Sequence, residues 1–204
     1  MSAKATHRIN YIFIDYENIQ DFDLNLIGGK PVKVFLVVGS KRKTLPTELA
    51  RQLHRHRDQV EWVESEGASK NALDLVLAYH VGRQTQADSA GYFHILSKDK
   101  DYDALIKHLR TNKVLANRDE DFAKIPALVD YKKLTLNERV ECVVEKFKSP
   151  KMTRPAKKKT LLSAIHALLH KELSSAEVET ILETLIKRKL IEVSPSNSAV
   201  AYNI

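Results

Sequence analysis

Cysteine is nearly absent from this 204-residue chain, with Cys142 the single example. One thiol cannot close an internal disulfide, so stability must come from apolar burial, and the composition suits a reducing compartment. No apolar run approaches the roughly 18 residues of a membrane-spanning helix. The segment from Met1 to Asn10 lacks the apolar centre of a signal peptide, and a cytoplasmic location is expected. There is no glycine-rich phosphate loop: Gly28-Gly29 is followed by neither GxGxxG nor GxxxxGK[ST] and reads as a turn. The 8 histidines have no cysteine cluster beside them. The pairs His54/His56 and His166/His170 therefore read as solvated helix residues rather than zinc ligands.

Acidic residues are scarce at the C-terminal end. Residues 1–145 carry 22 Lys/Arg against 21 Asp/Glu, whereas residues 146–204 carry 11 against 5, so almost all of the net charge of +7 lies in the last 59 residues. A basic tail behind a nearly neutral main body points to a polyanion partner, with solubility alone as the plainer explanation. With 43% hydrophobic residues the chain can bury one good core and a second small one.

The apolar patterning alternates between strand and helix. Tyr11–Ile14 is a β-rich run that stops at Asp15, and Val32–Val38 is a second, closed by Gly39. Both lack polar alternation and read as strands buried on two faces. Pro46 opens a helix running through His54, Val60–Val63 is a third strand, and Ser69–Val81 is a helix with Gly82 as its stop. Tyr92–Leu96 is a fourth strand ending at Ser97, Tyr102–Leu109 a helix, and Val114–Ala116 a fifth strand. Such alternation predicts a mainly parallel sheet covered by helices on both faces, with sites beyond the carboxyl ends of the strands. Leu136–Phe147 reads as a helix closing this first domain. A proline-punctuated basic linker follows. The apolar residues of Thr160–His170, the Ser174/Glu177 capping box and the runs Leu190–Val193 and Ala199–Tyr202 then predict helix, helix and hairpin. The expected division is 1–147, a linker over 148–159, and 160–204.

Acids sit where strands end. Asp15 follows the first strand; Asp99, Asp101 and Asp103 follow the fourth; Asp74 interrupts the apolar helix Ala72–Ala78. Individually, Asp15 can be a turn residue, Asp99 or Asp101 a helix cap, and Asp74 a partner of Lys70 four residues before it. Together they form several carboxylates at one sheet edge. Their mutual repulsion would be relieved by a hard divalent cation with oxygen ligands, Mg²⁺ or Mn²⁺, of the kind that activates water and stabilises a phosphoryl group in transfer.

The string Ile12-Phe13-Ile14-Asp15-Tyr16-Glu17-Asn18 resembles the opening motif of PIN-like domains of the NYN branch. Ser97-Lys98-Asp99-Lys100-Asp101-Tyr102 resembles their Ser-x-Asp-x-Asp-aromatic motif, and Lys70-Asn71-Ala72-Leu73-Asp74 their Lys-x-x-x-Asp stretch. Order and spacing agree over about residues 9–125. The resemblance implies an α/β/α sandwich and a metal-dependent ribonuclease. Asp15, Asp74, Asp99 and Asp101 would form its acidic centre, with Asn18 and Ser97 holding carboxylates or substrate. Asp103 has no counterpart in the motif and is a supporting or helix-start residue. Lys98 and Lys100 depart from the pattern, standing where small residues are usual; they can contact phosphate or pair with the acids. Residues 160–204, with or without the preceding helix, resemble a winged-helix domain in topology.

The leading expectation is a divalent-metal-dependent nuclease, acting on RNA rather than DNA. Further contacts to nucleic acid are expected from Lys41, Arg42 and Lys43 after the second strand and from Lys151, Arg154, Lys157, Lys158 and Lys159. A homodimer or a protein partner would be held through the C-terminal domain. The rival reading is a non-catalytic nucleic-acid-binding or protein-interaction module with a degenerate cleft.

Overall fold

The structure is a computed structural model that describes residues 8–42, 44–67, 69, 71–149 and 152–204. The chain divides into two compact units, the first ending at Val129 and the second running from Asp130 to Ile204.

The first unit is built on five strands: β1 (Asn10–Asp15), β2 (Val32–Gly39), β3 (Val60–Ser65), β4 (Tyr92–Leu96) and β5 (Leu115–Asp119), in the order β3-β2-β1-β4-β5. Every pairing is parallel. The helices are α1 (Thr47–Arg55), α2 (Ala72–Ala87) and α3 (Tyr102–Thr111). The chain winds outward through β2 and β3, returns to β4 on the other side of β1, and ends at β5. The order therefore reverses between β1 and β4, where a doubly wound sheet opens its crevice. The mainly parallel sheet flanked by helices matches the α/β/α expectation.

Side-chain alternation along β1 sorts the two layers. Ile12 and Ile14 join Leu24, Ile27, Leu49 and Phe122 in one buried cluster, on the α1 side. Tyr11 and Phe13 join Leu73, Leu77, Val81, Ile106 and Leu109 in the other, on the side of α2 and α3. Continuing the period of two, Asp15 falls on the α2/α3 side. Ser97 does so after Phe93 and Ile95, and Ser65 does so after Val63. The alternation thus delivers a carboxylate and two hydroxyls to one face at the strand ends.

One helix boundary and one strand boundary differ from the sequence reading. Gly82 does not stop α2, which continues to Ala87. The glycine lies in open space on the exposed side, and Arg83-Gln84-Thr85-Gln86-Ala87 contains good helix formers that outweigh its roughly 1 kcal/mol penalty. Strand β5 begins at Leu115 and extends to Asp119, placing an additional acid at a strand end.

The second unit contains α4 (Leu136–Lys148), α5 (Lys158–Leu168), α6 (Ser175–Lys187) and the antiparallel hairpin of β6 (Ile191–Val193) and β7 (Val200–Tyr202). The expectation that α4 closes the first domain is corrected: α4 packs against α5 and α6. Its stripe Val140, Val143, Val144 and Phe147 is buried, and the division falls after Val129 rather than after residue 147. The expected free linker is also corrected. Arg154 donates from Nε to the Phe147 carbonyl (2.9 Å), and its guanidinium lies over the Tyr202 ring, 5.6 Å from the centroid. Lys157 bridges to Ala199 in antiparallel fashion. Satisfied backbone groups tie this basic stretch to the hairpin instead of leaving it as a tether.

Candidate metal centre and nucleic-acid cleft

Asp15 is the last residue of β1 and is buried, 3% exposed. Its Oδ2 accepts from the Ser97 hydroxyl at 3.0 Å, and its Oδ1 accepts from the Asn18 backbone N–H at 3.2 Å. Ser97, fully buried just past β4, also accepts from the Asp99 N–H at 3.1 Å through its Oγ. One hydroxyl thereby joins the ends of the two central strands. Burial pushes the Asp15 carboxyl above its ordinary value and the charge of Asp74 adds to this, while the Ser97 and Asn18 hydrogen bonds pull the other way.

Asp74 stands in the first turn of α2, half-buried between buried Leu73 and Leu75, which is 71% exposed. The apolar neighbours in its sequence therefore do not all surround it; some face solvent. Its Oδ1 accepts from the Tyr102 phenol at 2.6 Å. Burial, that hydrogen bond, and the charges of Asp15, Asp74 and Asp99 all push the Tyr102 hydroxyl well above the usual phenol range. The phenol is thus a permanent donor within a field of three carboxylates.

Asp15, Asp74 and Asp99 line one cleft of about 540 Å³ together with Glu17, Asn18 and Lys41. They come from β1, from α2 and from the turn after β4. Gly39 leaves room in this cleft for the Glu17 side chain: a Cβ there would stand 1.8 Å from Glu17 Oε1 and displace that carboxylate. Ser65, Ser69 and Asn71 also line it. Asn71 precedes α2 in the left-handed conformation, with φ 70°.

The remaining expected site residues fall elsewhere. Asp101 is exposed, does not line the cleft, and gives its backbone N–H to Asp99 Oδ1 at 2.9 Å, so Asp99 shapes the turn into α3. Asp103 is drawn off by Arg118, whose Nε donates to it at 2.7 Å. Asn18 reaches Asp15 through its backbone. Lys98 and Lys100 are exposed and form no ion pair among the described residues. Arg42 lays its guanidinium 5.1 Å from the Tyr16 ring centroid. Arg154 serves the packing of the second unit, whereas Lys157, Lys158 and Lys159 are exposed at the start of α5. Lys43, Lys70 and Lys151 lie outside the described residues.

The sequence reading omitted Tyr102, Glu17 and Ser65. Tyr102 was visible as the aromatic residue of the second motif, but its hydroxyl partner lies 28 positions earlier. Ser65 gave no signal, being one serine at the end of a short strand.

The donor set consists of carboxylate, hydroxyl and amide oxygens, which suits a hard cation and not a soft one. Among the described residues, no three His, Cys, Asp or Glu side chains stand together at metal-ligating range. The carboxylates therefore share a cleft without forming a closed ligand shell.

A family model described as PIN domain matches residues 9–119, which span β1 to β5. No curated protein and no solved structure matches the chain.

Proposed function

The chain belongs to the PIN domain family, whose members are generally metal-dependent nucleases, and from this premise we propose that it is a divalent-metal-dependent endoribonuclease of the NYN type. The observation that carries the reading is the cleft shared by Asp15, Asp74 and Asp99, three carboxylates from three separate elements at the point where the strand order reverses. Asp15, Asp74 and Asp99 would hold Mg²⁺ or Mn²⁺, and Asp101, outside the cleft, would serve through its backbone N–H, which orients Asp99. The ion, when bound, supplies an activated water and charge stabilisation at the phosphoryl group.

The protein's own groups prepare the cleft for that chemistry. The Ser97 hydroxyl and the Asn18 N–H fix both oxygens of Asp15, so little reorganisation is needed on binding. Tyr102 fixes one oxygen of Asp74 and leaves the other free to bind. Lys41 lines the same cleft and can anchor a phosphate beside the carboxylates.

The second unit would add affinity. Its three helices and hairpin support the winged-helix reading, and Lys157, Lys158 and Lys159 stand exposed at the N-terminal end of α5, which has no acid in its first turn. Cations at the positive end of a helix oppose its dipole, an arrangement better suited to meeting a polyanion than to stabilising the helix.

The test is incubation of the full chain with single- and double-stranded RNA and DNA, in Mg²⁺, Mn²⁺ or EDTA. Internal cleavage of RNA that requires the metal and stops in EDTA is expected. Metal-independent cleavage, or binding without cleavage in every condition, would overturn the proposal and favour the non-catalytic reading.

A further inference from the structure

A second groove, of about 320 Å³, opens beside the carboxylate cleft and shares Gly39, Ser40 and Ser65 with it. Its distinguishing residues are Arg42, Trp62, Glu64 and Glu66. Trp62 is the single tryptophan of the chain. It lies on β3, the edge strand, and is 38% exposed. It belongs to neither buried cluster of the first unit. Its indole N–H donates to Glu64 Oε1 at 3.1 Å, and among the described residues no ring or cation stacks on it. The ring is therefore held at one edge while its π-face is available.

Charge separates the two grooves by role. Glu64 and Glu66 would repel a phosphate, yet their carboxylates can accept from the exocyclic amino groups of a base. Arg42 forms no ion pair among the described residues and lies against Tyr16, on the side of the groove that Lys41 and Glu17 also border. At the junction, the Ser65 hydroxyl is buried, 1% exposed, and has no hydrogen-bond partner among the described residues. A buried hydroxyl without a partner is unfavourable and is expected to be satisfied from the groove.

Resting on the nuclease reading above, we infer that this second groove is a nucleobase subsite: Trp62 stacks an unpaired base of a single-stranded substrate, Arg42 takes the adjoining phosphate, and the strand passes over Ser65 into the carboxylate cleft. Stacking on one aromatic face tolerates any base and excludes paired ones, so the subsite selects single strands. Glu64 and Glu66 favour bases that carry an amino group.

Because Trp62 is the sole tryptophan, its emission reports this groove alone. The full chain, in EDTA to prevent cutting, is titrated with a short fluorescently labelled single-stranded RNA, following strand anisotropy and tryptophan emission together in matched unlabelled and labelled runs. Saturable quenching that tracks the anisotropy is expected, with little quenching by a duplex of the same sequence. Trp62→Ala should weaken binding roughly five- to a hundredfold, and Trp62→Phe should keep most of the affinity. Binding with unchanged emission, or a folded Trp62→Ala that binds like wild type, would overturn this inference while leaving metal-dependent cleavage intact. If Trp62→Ala fails to fold, the wild-type emission and Trp62→Phe still decide. A strand that neither binds nor is cut in Mn²⁺ would overturn the nuclease reading and this subsite with it.

Discussion

Asp15 is hydrogen-bonded, yet its carboxyl is harder to ionise than an ordinary one, because burial, with the charge of Asp74 added, outweighs the hydrogen bonds from Ser97, Asn18 and Glu17. Such an arrangement is unfavourable for a bare protein and becomes favourable when a cation shares the cleft. Asp99 is half-buried and connects through Ser97 to Asp15. Asp99→Asn keeps the shape of the turn and removes the charge. It is expected to reduce the rate of RNA hydrolysis by at least ~100-fold, measured under single-turnover conditions with the melting temperature unchanged or raised. Asp15, Ser97 and Asp99 were legible in the sequence because they follow apolar strands directly. The Asp74–Tyr102 pair was not, since no local pattern reveals a hydrogen bond between two helices.

At the scale of elements, the strands and most of the helices were legible to within a few residues, and the end of α2 was not. Gly82 looked like a stop, but nothing packs near it, and a solvent-facing glycine weakens a helix without ending it. Gly82→Ala is therefore expected to stabilise the first unit by roughly 0.5–1 kcal/mol, read from denaturant unfolding. In the second unit the Ser174/Glu177 capping box is present as its sequence indicates. The Ser174 backbone N–H, then its hydroxyl, then Arg139 hold the Glu177 carboxyl down at about 2, against an ordinary value of 4.5. A lowered carboxylate pKa means that its stabilisation is complete above 4.5 and is lost as pH falls through about 2. Melting of the wild type should decline over that window more steeply than that of Glu177→Gln. Equal slopes would show that the box carries no proton linkage.

For the whole molecule, the fold class followed from the alternation of strands and helices, but the division of the chain did not. Leu136–Lys148 has the apolar stripe of any amphipathic helix, and sequence proximity to the sheet suggested the wrong partner. The structure gives α4 to the second unit. The basic stretch was legible as charge, whereas its attachment to the hairpin through Arg154 and Lys157 depends on tertiary pairing. The exposed Lys157, Lys158 and Lys159 remain available for phosphate. Replacing all three by Ala in the full chain should make the slope of log affinity against log salt shallower by about 2–3 units for RNA. An unchanged slope would assign this surface to another partner.

If the acids of the cleft are assembled to hold a cation, direct titration of the metal-free full chain with Mn²⁺ by calorimetry will show it. Saturable binding to the wild type is expected, weakened by more than roughly tenfold in a folded Asp15→Asn variant. Absence of Mn²⁺ binding to the wild type, or equal binding by the two proteins, would show that the cleft is not a cation site built on Asp15.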